Sequence, residues 1–177
     1  MMAKLAIDTT EIEEISKTSG ATRGANYLED IKDRTFAASE GYLINQPLRL
    51  IKQGYEVVVI PVSDYGVQSY SDVIITHRDL WQSNPELVRN FVSATRQGWL
   101  EALNRPEATA AVIVDKYRPS SNTGTTKTDE LATLKASEPL VRPDGSDQVL
   151  KMSASVWQSM ITDLGLDLRP EDIYIDL

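Results

Sequence analysis

The sequence predicts an α/β fold, a mixed sheet flanked by helices, and three observations carry this prediction. Two runs rich in valine and isoleucine, Glu56 to Val62 and Asp72 to Thr76, have the composition of strands that are buried on both faces. A long apolar stripe at helical spacing follows them over residues 87–103. Strands that alternate with helices in this way are typical of an α/β sheet.

Residues 1–40 predict two short helices separated by a turn. Thr10 to Glu13 has the pattern of a capping box, which would begin a helix that ends near Lys17. Turn-forming residues follow at positions 19–24, and the apolar spacing of residues 27–35 then predicts the second helix.

A strand, a loop and a helix are predicted ahead of the first Val/Ile run. Leu43 and Ile44 are the apolar residues of the predicted strand. Pro47 suits the first turn of a helix, where its missing N–H costs nothing, and Gly54 suits the helix end. The Val/Ile run then reaches Pro61 and leads into a polar loop.

The rest of the chain predicts helices with clear end signals. Asn84 is a cap followed by proline and glutamate, and the same proline–glutamate start recurs after Arg105. The polar residues 118–127 predict a loop. We expect the next helix to begin at Thr128 or Asp129.

The last part of the chain predicts one crossing segment and one further helix, followed by a final turn. Residues 139–145 contain two prolines and a glycine, which predicts a turn. Ser153 is expected to cap a helix that Gly165 ends, and residues 169–172 begin the final turn.

Composition excludes several classes of function. The formal charge of −8 argues against nucleic acid as a partner, because that binding depends on Lys and Arg neutralising phosphates. The absence of cysteine excludes disulfides and thiolate metal sites, and the single His77 cannot form a multi-histidine site. No apolar run approaches the roughly 18 residues of a membrane span, and the first residues do not form a signal peptide. A chain complete as written would stay in the cytoplasm.

No catalytic residue and no cofactor is predicted. Asp64 and Asp72 are paired carboxylates near strand ends, but loop aspartates more often form turns, and Gly66 after Asp64 fits a turn. His77 could act as a general base, although a surface or hydrogen-bonded histidine is the commoner case. The sequence contains no nucleophile-elbow motif and no metal-binding spacing.

The predicted chemistry is therefore binding, at the ends of the first two strands. Aromatic faces next to amide, hydroxyl and carboxylate groups suit a small planar polar ligand. Half-buried tyrosines without a ligand are the alternative interpretation. The candidate ligand-binding residues are Tyr42, Asn45, Gln46, Ser63, Asp64 and Tyr65.

Six segments, 41–47, 63–66, 70–76, 84–102, 137–144 and 152–157, resemble the solute-binding proteins of ABC importers. The similarity is to the branch for thiamine-pyrimidine precursors, sulfonates and nitrate, which shares its fold with the fungal thiamine-pyrimidine synthase. It covers about residues 36–172. The resemblance implies a type II periplasmic-binding-protein-like fold of two lobes that close on a ligand.

The resemblance also implies that the chain is truncated at its N-terminus and corresponds to the C-terminal part of the family. Residues 1–60 would be a remnant of the second lobe, and residues 61–177 the C-terminal part of the first lobe, with a linker at 118–128. Family members act in the periplasm or at the cell surface. The lysine and histidine that the fungal synthase uses have no counterpart here, so the chain is not expected to be an enzyme.

In pyrimidine-binding relatives, the positions of Tyr42 and Gln46 contribute to the ligand site, but the second of them is a glutamate there. We expect Tyr42 or Tyr65 to stack on the ligand, and Gln46 and Asp64 to hydrogen-bond its edge. The expected partners are a small heteroaromatic or polar solute and an ABC permease or a separately encoded N-terminal half. The alternatives are an oligomeric interaction protein without ligand binding and a relative of the synthase.

Overall fold

A computed structural model describes residues 8, 10, 33, 38–118 and 124–177 of the chain. The chain divides into two compact units, Met1–Val67 (unit 1) and Gln68–Leu177 (unit 2). The two helices predicted within residues 10–35 lie outside the described residues, apart from residues 10 and 33. The assignment of the chain to lobes of a binding protein remains a prediction.

Unit 1 contains helix α1, Gln46–Lys52, and a 3-10 turn, Val62–Tyr65. Helix α1 has its proline in the first turn, as predicted, and buries Leu50. Gly54 follows the helix with φ of 86°, a left-handed conformation that glycine adopts without a steric penalty. The predicted start and end signals of this helix are therefore confirmed.

Unit 2 is helical wherever it has regular structure in the described residues. Its core is formed by apolar side chains from several helices and from the loop before the last long helix. The helices are α2 Arg78–Ser83, α3 Pro85–Asn104, α4 Pro106–Val112 with a π-helical turn Ile113–Tyr117, α5 Lys127–Val141, α6 Ala154–Asp163 and α7 Pro170–Ile173. The buried apolar residues are Val88, Leu103, Ala110, Leu134, Val149 and Ile161. The most extensive helix–helix contact is between α4 and α5.

The predicted α/β fold is wrong for the part of the chain that the structure describes, since that part contains no strand. The two Val/Ile runs are irregular and exposed, with Val58 at 84% and Ile75 at 86% relative exposure. A strand exists only when a neighbouring segment pairs with its N–H and C=O groups. Residues 56–60 and 72–76 form no backbone hydrogen bond with any described residue. High β propensity alone is therefore not sufficient to make these runs strands.

Two predicted helix caps are found in the structure, because each depends only on neighbouring residues. The Asn84 side chain accepts a hydrogen bond from the Leu87 N–H at 3.2 Å, and the Ser153 hydroxyl accepts one from the Ser155 N–H at 3.2 Å. Helix α5 begins earlier than predicted, because Thr126 and Asp129 form a reciprocal capping box. Both cap predictions are confirmed, and the predicted start at Thr128 or Asp129 is wrong.

The predicted turn at residues 139–145 is also partly wrong, because α5 continues through Pro139 to Val141. A proline removes one backbone donor from a helix, and its ring crowds the carbonyl four residues earlier. Pro139 lies in the last turn, where few further helical bonds depend on it.

In the described ranges, no helix is long and apolar enough to cross a membrane.

Candidate functional site

The first group of candidate residues, Tyr42, Asn45 and Gln46, lies at the N-terminus of α1. The Asn45 N–H donates to the Tyr42 carbonyl at 2.9 Å, which folds the chain into a tight turn. The Gln46 side-chain oxygen accepts from the Tyr42 N–H at 2.8 Å. A side chain at Gly41 would come within 3.3 Å of this oxygen, so the glycine permits the contact. The turn therefore fixes the Gln46 amide.

This contact decides what the Gln46 amide can offer to a ligand. Its oxygen accepts from the Tyr42 N–H with one of its two lone pairs, and its nitrogen forms no hydrogen bond with any described residue. Gln46 can therefore donate two hydrogen bonds to a ligand and accept one more, whereas an ionised glutamate would only accept.

The second group, Ser63, Asp64 and Tyr65, is carried by the 3-10 turn. The Asp64 N–H donates to the Pro61 carbonyl at 3.1 Å, and the Gly66 N–H donates to the Ser63 carbonyl at 3.0 Å. Gly66 has φ of 75°, which closes the turn. The predicted turn around Asp64 is confirmed. It holds a hydroxyl, a carboxylate and an aromatic ring on consecutive residues.

Each group is ordered locally, but no hydrogen bond or ion pair between described residues joins one group to the other. The two tyrosine rings are open to solvent, with Tyr42 at 60% and Tyr65 at 42% exposure. Their faces are therefore accessible for stacking. The site is an exposed surface of unit 1 rather than an enclosed cavity.

The residues considered for catalysis are divided between the two units. Asp64 belongs to unit 1 and Asp72 to unit 2. His77 is exposed at the N-terminus of α2, where its Nδ1 accepts from the Asp79 N–H at 3.2 Å. The expectation of a hydrogen-bonded surface histidine is confirmed. No cluster of three metal-ligating side chains occurs among the residues whose positions are described.

Tyr70, the third aromatic residue near a predicted strand end, has a structural role. Its ring contacts Trp157 at a centroid distance of 5.6 Å, and its hydroxyl accepts from the Ser153 N–H at 2.6 Å. Tyr174 stacks on the same tryptophan at 6.2 Å and donates to the Met152 carbonyl at 2.8 Å. Burial, followed by the charge of nearby Asp176, raises the pKa of Tyr174. These contacts anchor the start and the end of unit 2 on α6.

A cleft of about 420 Å³ in unit 2 is lined by residues outside the predicted candidates. Helix α3 supplies Arg89, Val92, Ser93 and Arg96, and α2 supplies Trp81. The sequence contains a signal for this cleft, since positions 89, 93 and 96 have the i, i+4, i+7 spacing of one helix face. The apolar stripe that predicts the helix does not include these polar positions.

Comparison with known proteins gives two findings. A family model described as NMT1/THI5 like matches residues 2–109, more than half of the chain. The riboflavin-binding protein RibY of Chloroflexus aurantiacus is 33% identical over 88 residues, which are 50% of this chain and 24% of that protein. The matched part is thus about a quarter of that relative's length. No solved structure matches the chain.

Proposed function

This chain belongs to the NMT1/THI5-like family, and on that premise we propose that it binds a small heteroaromatic solute without catalysis. The proposed role is the capture of this solute for an ABC importer, in the periplasm or at the cell surface. The family match includes both groups of candidate residues, from Tyr42 to Tyr65. The exposed tyrosine faces beside fixed polar groups are the chemistry that such a ligand requires.

The Gln46 contact is the single observation that carries the choice of ligand. Because the Tyr42 N–H uses one lone pair of the amide oxygen, the two amide N–H donors are the larger part of what Gln46 offers to a ligand. Two donors complement a ring that presents carbonyl oxygens, as the dione ring of a flavin does. An aminopyrimidine offers only its ring nitrogens as acceptors, and its amino group donates. The Chloroflexus aurantiacus relative is named a riboflavin-binding protein, which agrees with this choice.

Binding is tested by thermal unfolding of the full chain with riboflavin, thiamine, an aminopyrimidine and an alkylsulfonate. Riboflavin is expected to raise the melting temperature, because a ligand that binds only the folded state stabilises it by mass action. The alkylsulfonate has no aromatic ring to stack and serves as the control. If none of the three heteroaromatic compounds stabilises a folded protein, the proposed function is contradicted.

A second candidate function is self-association, and the exposed Val/Ile runs favour it. In the run of unit 1, the consecutive residues Val58, Val59 and Ile60 are all exposed, and in unit 2 Ile75 is almost fully exposed. Exposed apolar patches often mark association sites in soluble proteins. The runs would be covered by a second copy of the chain.

Self-association predicts a dimer or larger species in light scattering coupled to size-exclusion chromatography. Its apparent mass should exceed 19.7 kDa and should fall on dilution. A lysine in place of Ile75 is expected to shift the equilibrium to the monomer, whereas a lysine in place of the polar, exposed Gln68 is the matched control. A monomer at every concentration would exclude this second function.

A further inference from the structure

The cleft in unit 2 combines two guanidinium groups with an aromatic wall. Arg89 and Arg96 lie on one face of α3, with Ser93 between them. The Arg89 guanidinium lies over the Trp81 ring at 5.0 Å from its centroid. A volume of about 420 Å³ lies within the range of roughly 300–1,000 Å³ of small-molecule sites.

Arg96 is held in a fixed orientation by main-chain oxygens. Its Nε–H donates to the Val149 oxygen at 3.0 Å, and its Nη2 donates to the Leu177 oxygen at 3.1 Å. Val149 is fully buried, so the first of these acceptors is anchored in the core. A guanidinium carries five N–H donors, and the remaining ones have no acceptor among the described residues. A positioned cation of this kind does not have to be ordered again when a ligand binds.

The backbone beside this anchor is strained. Leu150 has φ of 60°, a left-handed conformation that is a genuine outlier for a bulky residue. Leu150 lies between Val149, which holds Arg96, and Lys151. Such strain persists only where the surrounding structure enforces it, and it occurs preferentially at functional sites.

Charged and polar groups of both kinds surround the cleft. Asp176 and Leu177 line it, and the Lys151 ammonium lies 3.6 Å from the Asp176 carboxylate and 3.1 Å from the Leu177 oxygen. The Leu177 oxygen also accepts from Arg96. Arg89 forms no ion pair with any residue that the structure describes, so its charge is available to an anionic ligand.

We infer that this cleft binds the carboxylate or phosphate group of a small molecule whose flat apolar part lies against Trp81 and Val92. Arginine matches both anions because its planar fork donates two parallel hydrogen bonds to their oxygens. Arg89 and Arg96 would bind the oxyanion, and Ser93 would donate a further hydrogen bond. The site is formed within unit 2 and does not depend on the ligand proposed for Tyr42 and Gln46.

The inference is tested by isothermal titration calorimetry of the full chain at constant ionic strength. The probes are phenyl phosphate, benzoate, inorganic phosphate and phenol. We expect phenyl phosphate or benzoate to bind more tightly than inorganic phosphate, and phenol to give no heat of binding. The first two probes distinguish a phosphate ligand from a carboxylate ligand.

The variant Arg89→Gln removes one guanidinium without breaking an internal hydrogen bond. A charge-assisted hydrogen bond to a ligand corresponds to roughly a tenfold to hundredfold loss of affinity when it is removed. The matched control is Arg105→Gln, which removes an exposed arginine from the end of the same helix. The control is expected to bind the probe within about twofold of the unmodified chain, because a single exposed charge contributes little.

Two results would overturn the inference. One is the absence of any heat of binding for all three anionic probes in a protein with an intact melting transition. The other is an equal loss of affinity in Arg89→Gln and Arg105→Gln, which would show general electrostatic attraction. Either result leaves the thermal shift with riboflavin unaffected, so the two proposals fail separately.

Discussion

Replacing Ile161 by alanine is expected to lower the free energy of unfolding of unit 2 by about 3 kcal/mol. Ile161 is only 3% exposed and lies in α6, the helix on which Tyr70 and Tyr174 are anchored through Trp157. Truncation of a buried isoleucine removes apolar contacts and leaves a cavity, which together cost roughly 2–5 kcal/mol. Urea denaturation followed by tryptophan fluorescence measures this loss, because all three tryptophans lie in unit 2.

Leu164→Ala is the matched control for this experiment. Leu164 follows the same helix and is 68% exposed, so its truncation is expected to change the free energy of unfolding by less than about 0.5 kcal/mol. Equal losses in the two variants would contradict the packing of α6 described above. A change in the slope of the transition would instead indicate an altered unfolded state.

Replacing Tyr42 by alanine is expected to weaken binding of the proposed flavin ligand by roughly tenfold to hundredfold. The Tyr42 ring is exposed and free to stack, and stacking of a heteroaromatic base on an aromatic side chain contributes about 1–3 kcal/mol. Riboflavin affinity can be measured by the quenching of flavin fluorescence. The substitution leaves the backbone N–H that donates to Gln46 in place.

Tyr117→Ala provides the control for Tyr42→Ala. Tyr117 is also strongly exposed, at 70%, but it lies in unit 2. Its replacement is expected to leave riboflavin affinity unchanged. If both variants bind riboflavin as the unmodified chain does, Tyr42 has no part in the site.

Features that depend on neighbouring residues could be predicted from the sequence. The caps at Asn84 and Ser153, the helix end at Gly54 and the turn around Asp64 each involve contacts over a few residues. Their geometry follows from side-chain chemistry and backbone sterics. The capping box of Thr126 and Asp129 was not predicted, although it too involves residues only three positions apart.

The absence of a sheet from the described residues could not be predicted from the sequence, because strand pairing depends on distant segments. The run at residues 56–62 has high β propensity, yet propensity for strands largely reflects how a residue packs on its neighbours. No described segment pairs with residues 56–60 through backbone hydrogen bonds. The family resemblance was confirmed by the match over residues 2–109, which begins and ends earlier than the expected range of 36–172.

For unit 1, the sequence predicted which residues could bind a ligand, but it did not predict all of their hydrogen bonds. It indicated that Gln46 replaces a glutamate, but not that its oxygen is occupied by the Tyr42 N–H. That contact uses one of the two lone pairs of the oxygen and leaves both amide N–H donors for a ligand. The Arg89–Arg96 cleft was missed because it depends on α2, α3 and the last residues of the chain coming together.

The most direct test of the ligand site is the riboflavin affinity of the Gln46→Glu variant relative to the unmodified chain. Glutamate retains an oxygen for the Tyr42 N–H, but it removes the two amide donors and adds a negative charge. We predict that riboflavin binds the unmodified chain and that its affinity falls by roughly tenfold or more in the variant. Equal affinity in both proteins, or no binding to either, would contradict the proposed site.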